Sequence, residues 1–128
     1  YDTEDRDFAG SVDIRVIPVE EMFARGIPDC LAEARARAGS APTYVSYDID
    51  FVDPAFAPGT GTPEVGGPNS AQALEAARGL LGVNIVGADL VEVSPPFDVG
   101  GATAFLGATL MFEMLCAIAG NPHGPAPA

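Results

Sequence analysis

The sequence predicts an α/β fold with a mostly parallel central sheet, on three observations. Short runs rich in branched and aromatic residues alternate with longer amphipathic stretches, in the order β, α, β, loop, α, β, α. Strands joined through helices run parallel, and the helices are expected on both faces of the sheet. The chain has 128 residues, is 48% hydrophobic and has a mean hydropathy of +0.21, which suits one domain with a core. No internal repeat interrupts this order.

The first ten residues (YDTEDRDFAG) are polar and acidic, begin without Met and suggest no regular element. Asp13 to Val19 is a short β-type run of branched residues. Glu20 to Arg25 reads as a helical turn. A longer helix starts at Pro28, with proline in its first turn, and stops at Gly39. Tyr44 to Phe51 (YVSYDIDF) is the next strand. Its alternation puts Tyr44, Ser46, Asp48 and Asp50 on one face and Val45, Tyr47, Ile49 and Phe51 on the other.

The segment DPAFAPGTGTPEVGGP follows, too punctuated by Pro and Gly for a helix or a strand. A loop of this length in a compact domain is usually functional. Asn69 or Ser70 caps the next helix, with Gln72 near the capping-box position, and that helix runs to about Gly82. Asn84 to Val93 is a further strand, ended by Ser94-Pro95-Pro96. Asp98 is placed to cap the last helix, Gly101 to Ala119, in which Phe105, Leu106, Leu110 and Met114 form a core-facing stripe. This stretch contains Glu113, so it reads as a buried helix and not a membrane span. Residues 121–128 read as a disordered tail, and His123, the one histidine, as an incidental member of it.

A net charge of −12 and a pI near 4.1 argue against a nucleic-acid partner, which needs clustered Lys and Arg. The same balance is compatible with metal ions or a cationic small molecule, although most of these carboxylates read as a solvated surface. Cys30 and Cys116 have no metal or C-x-x-C spacing. Both fall in apolar helical patterns, which predicts buried free thiols in a reducing cytoplasm. No N-terminal signal sequence is visible.

Asp48 and Asp50 are the chemical puzzle. On an extended strand they lie about 7 Å apart, from a rise of roughly 3.3–3.4 Å per residue. Burying the pair without a cation is unfavourable. A hard divalent ion removes that difficulty. Parallel α/β sheets bind ligands outside the carboxyl ends of their strands, where this pair sits. The D-x-D spacing alone also fits caps, turn contacts or surface charge. Asp53, before Pro54, reads as a loop-organising residue whose side chain bonds nearby backbone.

The wider pattern is more specific. Ser46-Tyr47-Asp48-Ile49-Asp50, then Asp53-Pro54-Ala55-Phe56-Ala57-Pro58-Gly59-Thr60-Gly61-Thr62-Pro63-Glu64 and Gly66-Gly67, resembles the ureohydrolase signature. Val91-Glu92-Val93-Ser94-Pro95 looks like that family's second carboxyl-terminal motif. The resemblance runs from about Tyr1 to Ala119, and its wording is nearer the agmatinase branch than arginase. It implies a three-layer arginase-like fold, of which residues 1–128 are the carboxyl-terminal part of a single domain. It also implies two bridged Mn²⁺ ions, a metal-bridging hydroxide that attacks a guanidinium carbon, and release of urea from agmatine or a related guanidino compound. By the motif, Asp48 and Asp50 match metal-ligand positions, Glu92 matches the carboxylate that holds the guanidinium, and Thr62 matches a loop position near the substrate. A homo-oligomer, trimeric or hexameric, is the family expectation.

The chain departs from that family in one respect. The other ligands, in G-G-D-H and D-A-H-x-D motifs, and the histidine that moves protons are expected upstream and have no counterpart here. Two of six expected ligands are present, so the 128 residues alone are expected to be inactive. A non-catalytic homologue or subunit lacking the upstream ligands is the alternative.

Overall fold

The structure, a computed structural model, describes residues 3–120. The expected tail at 121–128, with His123, lies outside the described residues.

Five helices and two strands follow in order: α1 (Thr3–Ser11), α2 (Val19–Arg25), α3 (Ile27–Ala38), β1 (Thr43–Asp48), α4 (Ser70–Arg78), β2 (Ile85–Val91) and α5 (Ala102–Ala119). Short 3-10 turns, Ile49–Phe51 and Pro95–Phe97, follow the two strands. The acidic start is helical, which the sequence did not suggest. Glu4 and Asp5 sit in the first turn of α1, where carboxylates favour the exposed N–H groups. The strand expected over Asp13–Val19 does not form. Asp13 has a left-handed φ of 56°, and Val19 already opens α2 after an extended Pro18. Branched residues favour a strand only where a neighbour offers a ladder, and among the described residues none pairs here.

Gly26, at φ 86°, separates α2 from α3 and donates its N–H to Met22 O at 2.7 Å. Its positive φ lets two helices meet with no linker. Around this corner, Arg25 reaches Glu21, Asp29 and Glu33, each at 2.6 Å, while Arg15 bonds Glu33 at 2.6 Å and also Glu21. The Arg15 and Arg25 guanidiniums hold the Glu21 and Glu33 carboxyls below the usual carboxylate range. Cys30 is buried against Met22 and Ile27, as expected. Cys116 is exposed, contrary to expectation, because it lies on the outer side of α5.

β1 and β2 pair in parallel, with Tyr44 opposite Gly87, Ser46 opposite Asp89 and Asp48 opposite Val91. The loop and α4 form the crossover between them. One face of the sheet carries Tyr47, which joins Ile49, Val52, Ala57, Ala73, Ala77, Leu106, Leu110 and Met114 in the main core. Ala88 and Leu90 of β2 pack on the same cluster. The Tyr47 hydroxyl donates to Ala73 O at 3.1 Å, and burial pushes its phenol above the ordinary value. The described residues thus supply helices for one sheet face, while Tyr44, Ser46 and Asp48 are exposed on the other.

Helix α4 begins as predicted. The Asn69 side chain accepts the Gln72 N–H at 2.9 Å, and the Gln72 side chain accepts the Asn69 N–H at 3.0 Å. The helix ends at Arg78 with Gly79 as its cap, a turn earlier than Gly82. In α5 the buried stripe is Thr103, Leu106, Gly107, Leu110, Met114 and Ala117. Phe105 lies off that stripe and is 76% exposed, which corrects its assignment to the core. By length and composition alone α5 could cross a membrane. Its inner stripe instead packs on α4 and the sheet, and its Glu113 pairs with Arg78 of α4 at 2.6 Å.

Candidate functional site

Asp48 is the last residue of β1, and its carboxylate accepts the Asp50 N–H at 2.9 Å. Asp50 is therefore not on the strand, as alternation predicted, but in the 3-10 turn that Asp48 caps. Two forces turn the chain here. A short acidic side chain offers the backbone a local acceptor. Ile49 and Val52, both essentially inaccessible, are drawn into the core, with Val52 N–H bonding Ile49 O at 3.0 Å. The Asp48 side chain thus meets the Asp50 backbone across a turn, and the estimated 7 Å strand repeat does not apply to the pair.

The loop over residues 53–68 is organised by its own side chains. Asp53 accepts the N–H groups of Ala55 and Gly66, each at 2.8 Å, and its own N–H donates to Pro68 O at 3.0 Å. These backbone donors hold its carboxyl below the usual range. It is the loop organiser that the sequence suggested. Farther along, the Gly59 N–H donates to the buried Thr103 hydroxyl at 2.8 Å. Asp98 accepts the N–H groups of Thr103 at 2.9 Å and Ala104 at 2.8 Å, which caps α5 as expected and holds its carboxyl low. Ser94 N–H donates to Gly59 O at 2.7 Å, and Thr60 forms an antiparallel bridge with Val93. The loop is thereby fastened to the end of β2 and the start of α5.

Gly59 has no room for a side chain. A Cβ there would lie 2.5 Å from Asp98 Cβ and 2.9 Å from both Asp98 Cγ and Thr103 Oγ1. Gly59→Ala is expected to destabilise the fold by about 1–3 kcal/mol, the cost of overpacking a filled site. Thermal unfolding measures it, and an unchanged melting temperature would show that this junction yields.

From this anchored loop, the hydroxyls of Thr60 and Thr62 both donate to the Asp50 carboxylate, one to each oxygen. Thr60 is only 3% exposed, whereas Thr62 is exposed. Thr60 was not singled out from the sequence. Its place two residues before Thr62 in the same P-G-T-G-T run was the available signal, since alternate residues of an extended segment share a side. Asp50 also lines a surface hollow of about 270 Å³ with Phe51, Glu64 and Gly66.

Glu92 lies one residue past the end of β2, not within a strand extending to Val93 as predicted. It is exposed and has a left-handed φ of 66°. Val91, the residue before it, pairs with Asp48. The carboxyl ends of two adjacent parallel strands therefore carry Asp48 and Asp50 on one side and Glu92 on the other. Asp89 and Tyr44 form a contact that the sequence did not suggest. The Tyr44 hydroxyl donates to one Asp89 carboxylate oxygen at 2.8 Å, and the other oxygen is buried with no partner among the described residues.

The Asp48–Asp50 pair offers hard oxygen donors, suited to Mn²⁺ or Mg²⁺ and not to a thiolate-preferring ion. Among the described residues no group of three or more His, Cys, Asp or Glu could close round an ion. The chemistry of the pair suits a hard cation, and enclosing one would need further donors.

Residues 1–117 match the family model described as the Arginase family. The chain is 60% identical over 119 residues to a guanidinopropionase of Pseudomonas aeruginosa, covering 93% of this chain and 37% of that protein. It is 55% identical to a mitochondrial agmatinase of Gallus gallus, covering 83% of the chain and 31% of that protein. Its backbone superposes on the proclavaminate amidino hydrolase of Streptomyces clavuligerus with a TM-score of 0.84 and 41% identity, covering 87% of this chain and 37% of that one. The chain thus spans about a third of the length of these relatives and corresponds to their carboxyl-terminal portion.

Proposed function

The chain belongs to the arginase family, and from that membership we propose that it is the carboxyl-terminal segment of a dinuclear manganese guanidino hydrolase that releases urea. The observation that supports this reading is that Asp48 and Asp50 at the end of β1, and Glu92 just past the end of β2, stand at the same ends of two paired parallel strands. In it, Asp48 and Asp50 hold metal. Divalent ions held by these carboxylates would supply an acidified water as a nucleophile near neutral pH. Glu92 receives the guanidinium, because a carboxylate and a planar guanidinium make two parallel charge-assisted hydrogen bonds. Thr62, exposed beside Asp50, stands on the same rim.

The substrate in this reading is agmatine or a related guanidino acid. Similarity to proteins named agmatinase and guanidinopropionase supports a guanidino group and leaves its tail open. The test is urea release by the intact protein with Mn²⁺ on agmatine, guanidinobutyrate, guanidinopropionate and arginine. Urea from at least one is expected, and none from any of the four overturns the reading.

A second reading is a non-catalytic homologue or subunit that binds metal weakly through Asp48 and Asp50. Calorimetric titration of residues 1–128 with Mn²⁺ separates the two further. Tight two-site binding by this segment alone contradicts the non-catalytic reading and the expectation that the 128 residues are inactive by themselves.

A further inference from the structure

We propose that Thr60 is a positioning residue, whose buried hydroxyl sets the Asp50 carboxylate relative to the Glu92 turn. The inference rests on the reading of Asp50 as a metal ligand. Four observations carry it. The Thr60 hydroxyl donates to Asp50 Oδ1, and Thr60 is 3% exposed, so water competes little for that contact. The Thr60 backbone bridges Val93, the residue after Glu92. On its other side, Gly59 is locked between Ser94 N–H at 2.7 Å and the Thr103 hydroxyl at 2.8 Å. Thr60 thus hangs from the end of β2 by its backbone and holds the turn after β1 by its side chain.

The chemistry follows from that placement. A carboxylate that binds a metal ion through one oxygen needs the other oriented, and a hydroxyl donor does this without adding charge. Thr62 also donates to Asp50, to Oδ2, but from an exposed position where water can replace it. The buried donor therefore sets the carboxylate's direction, and the exposed one is free to exchange its partner when ligands arrive. The Val93 bridge ties the same residue to the backbone next to Glu92, so Thr60 links the turn that carries Asp50 to the turn that carries Glu92.

The experiment compares Thr60→Val, Thr60→Ser and Asp50→Asn in the intact protein. Mn²⁺ affinity is read by titration and by metal content after dialysis, alongside thermal melting and the split between kcat and KM. Valine keeps the branched shape and the backbone bridge and removes only the donor. Thr60→Val is expected to weaken Mn²⁺ binding about tenfold, the lower end for losing an outer partner of a ligand. KM at saturating Mn²⁺ stays near the parent value, and Thr60→Ser restores the affinity. Parent-like Mn²⁺ affinity in Thr60→Val, with Asp50→Asn impaired, overturns this inference and leaves the metal reading standing. An equal loss in Thr60→Ser and Thr60→Val also overturns it, since the methyl would then matter and not the hydroxyl. Unchanged Mn²⁺ affinity in Asp50→Asn overturns the metal reading, and this inference with it.

Discussion

Replacing Asp48 or Asp50 by alanine in the intact protein is expected to abolish Mn²⁺ retention and to lower urea release on the order of 10³-fold. The magnitude follows from the several kcal/mol that metal-assisted charge stabilisation supplies, at about 1.36 kcal/mol for each tenfold in rate. The two substitutions differ in what else they disturb. Asp48 also caps the turn that carries Asp50, through its bond to the Asp50 N–H. Asp48→Ala therefore removes one donor and loosens the backbone under the other, whereas Asp50→Ala removes a donor and leaves the cap. Asp48→Asn keeps a side-chain oxygen for the cap and should melt close to the parent while still losing metal. Atomic spectroscopy of dialysed protein, with a urea assay and a melting curve, separates these effects. Full metal content in either alanine variant would remove these residues from the metal site.

How far the sequence reached can be followed at these same residues. The Asn69–Gln72 capping box and the Asp53 turn were legible, because each rests on an interaction between residues a few positions apart, and the order of elements was legible from α3 onward. The ends of β1 and β2 were not. Asp50 and Glu92 were expected on strands because their neighbours are branched and apolar. In the structure Ile49 and Val52 turn inward together, and Glu92 adopts a left-handed φ that no propensity scale foresees. The missing strand at Asp13–Val19 and the exposure of Phe105 have a common origin. A strand needs a neighbour and an apolar side chain needs a cover, and neither requirement is written in the segment itself. Thr60 escaped notice for a third reason. Its spacing from Thr62 hints at a shared side, but its bridge to Val93, more than thirty positions away, is not displayed by sequence spacing.

Glu92 joins the second large effect to its backbone. A non-glycine residue in the left-handed region carries roughly 1–2 kcal/mol of strain, and such strain collects where function demands a direction. Here the turn comes one residue after Val91, which pairs with Asp48, so the strained backbone aims a carboxylate from the strand end. Glu92→Asn and Glu92→Gln part the two contributions. Both remove the charge and are expected to lower kcat/KM for a guanidino substrate on the order of 10²-fold. That figure reflects the loss of hydrogen bonds to a charged group at about 1.5–3 kcal/mol each. They differ in stability. Asparagine accepts the left-handed conformation readily, so Glu92→Asn should melt above the parent, by up to about 1 kcal/mol of the strain. Glutamine retains the strain and should melt with the parent. An Asn variant that melts lower would mean the Glu92 side chain stabilises the fold. A Gln variant that keeps full activity would mean the carboxylate does not hold the substrate. The expected pair of outcomes, a more stable protein that has lost its substrate and an equally stable one that has lost it too, identifies the left-handed turn as a cost borne for the placement of one carboxylate.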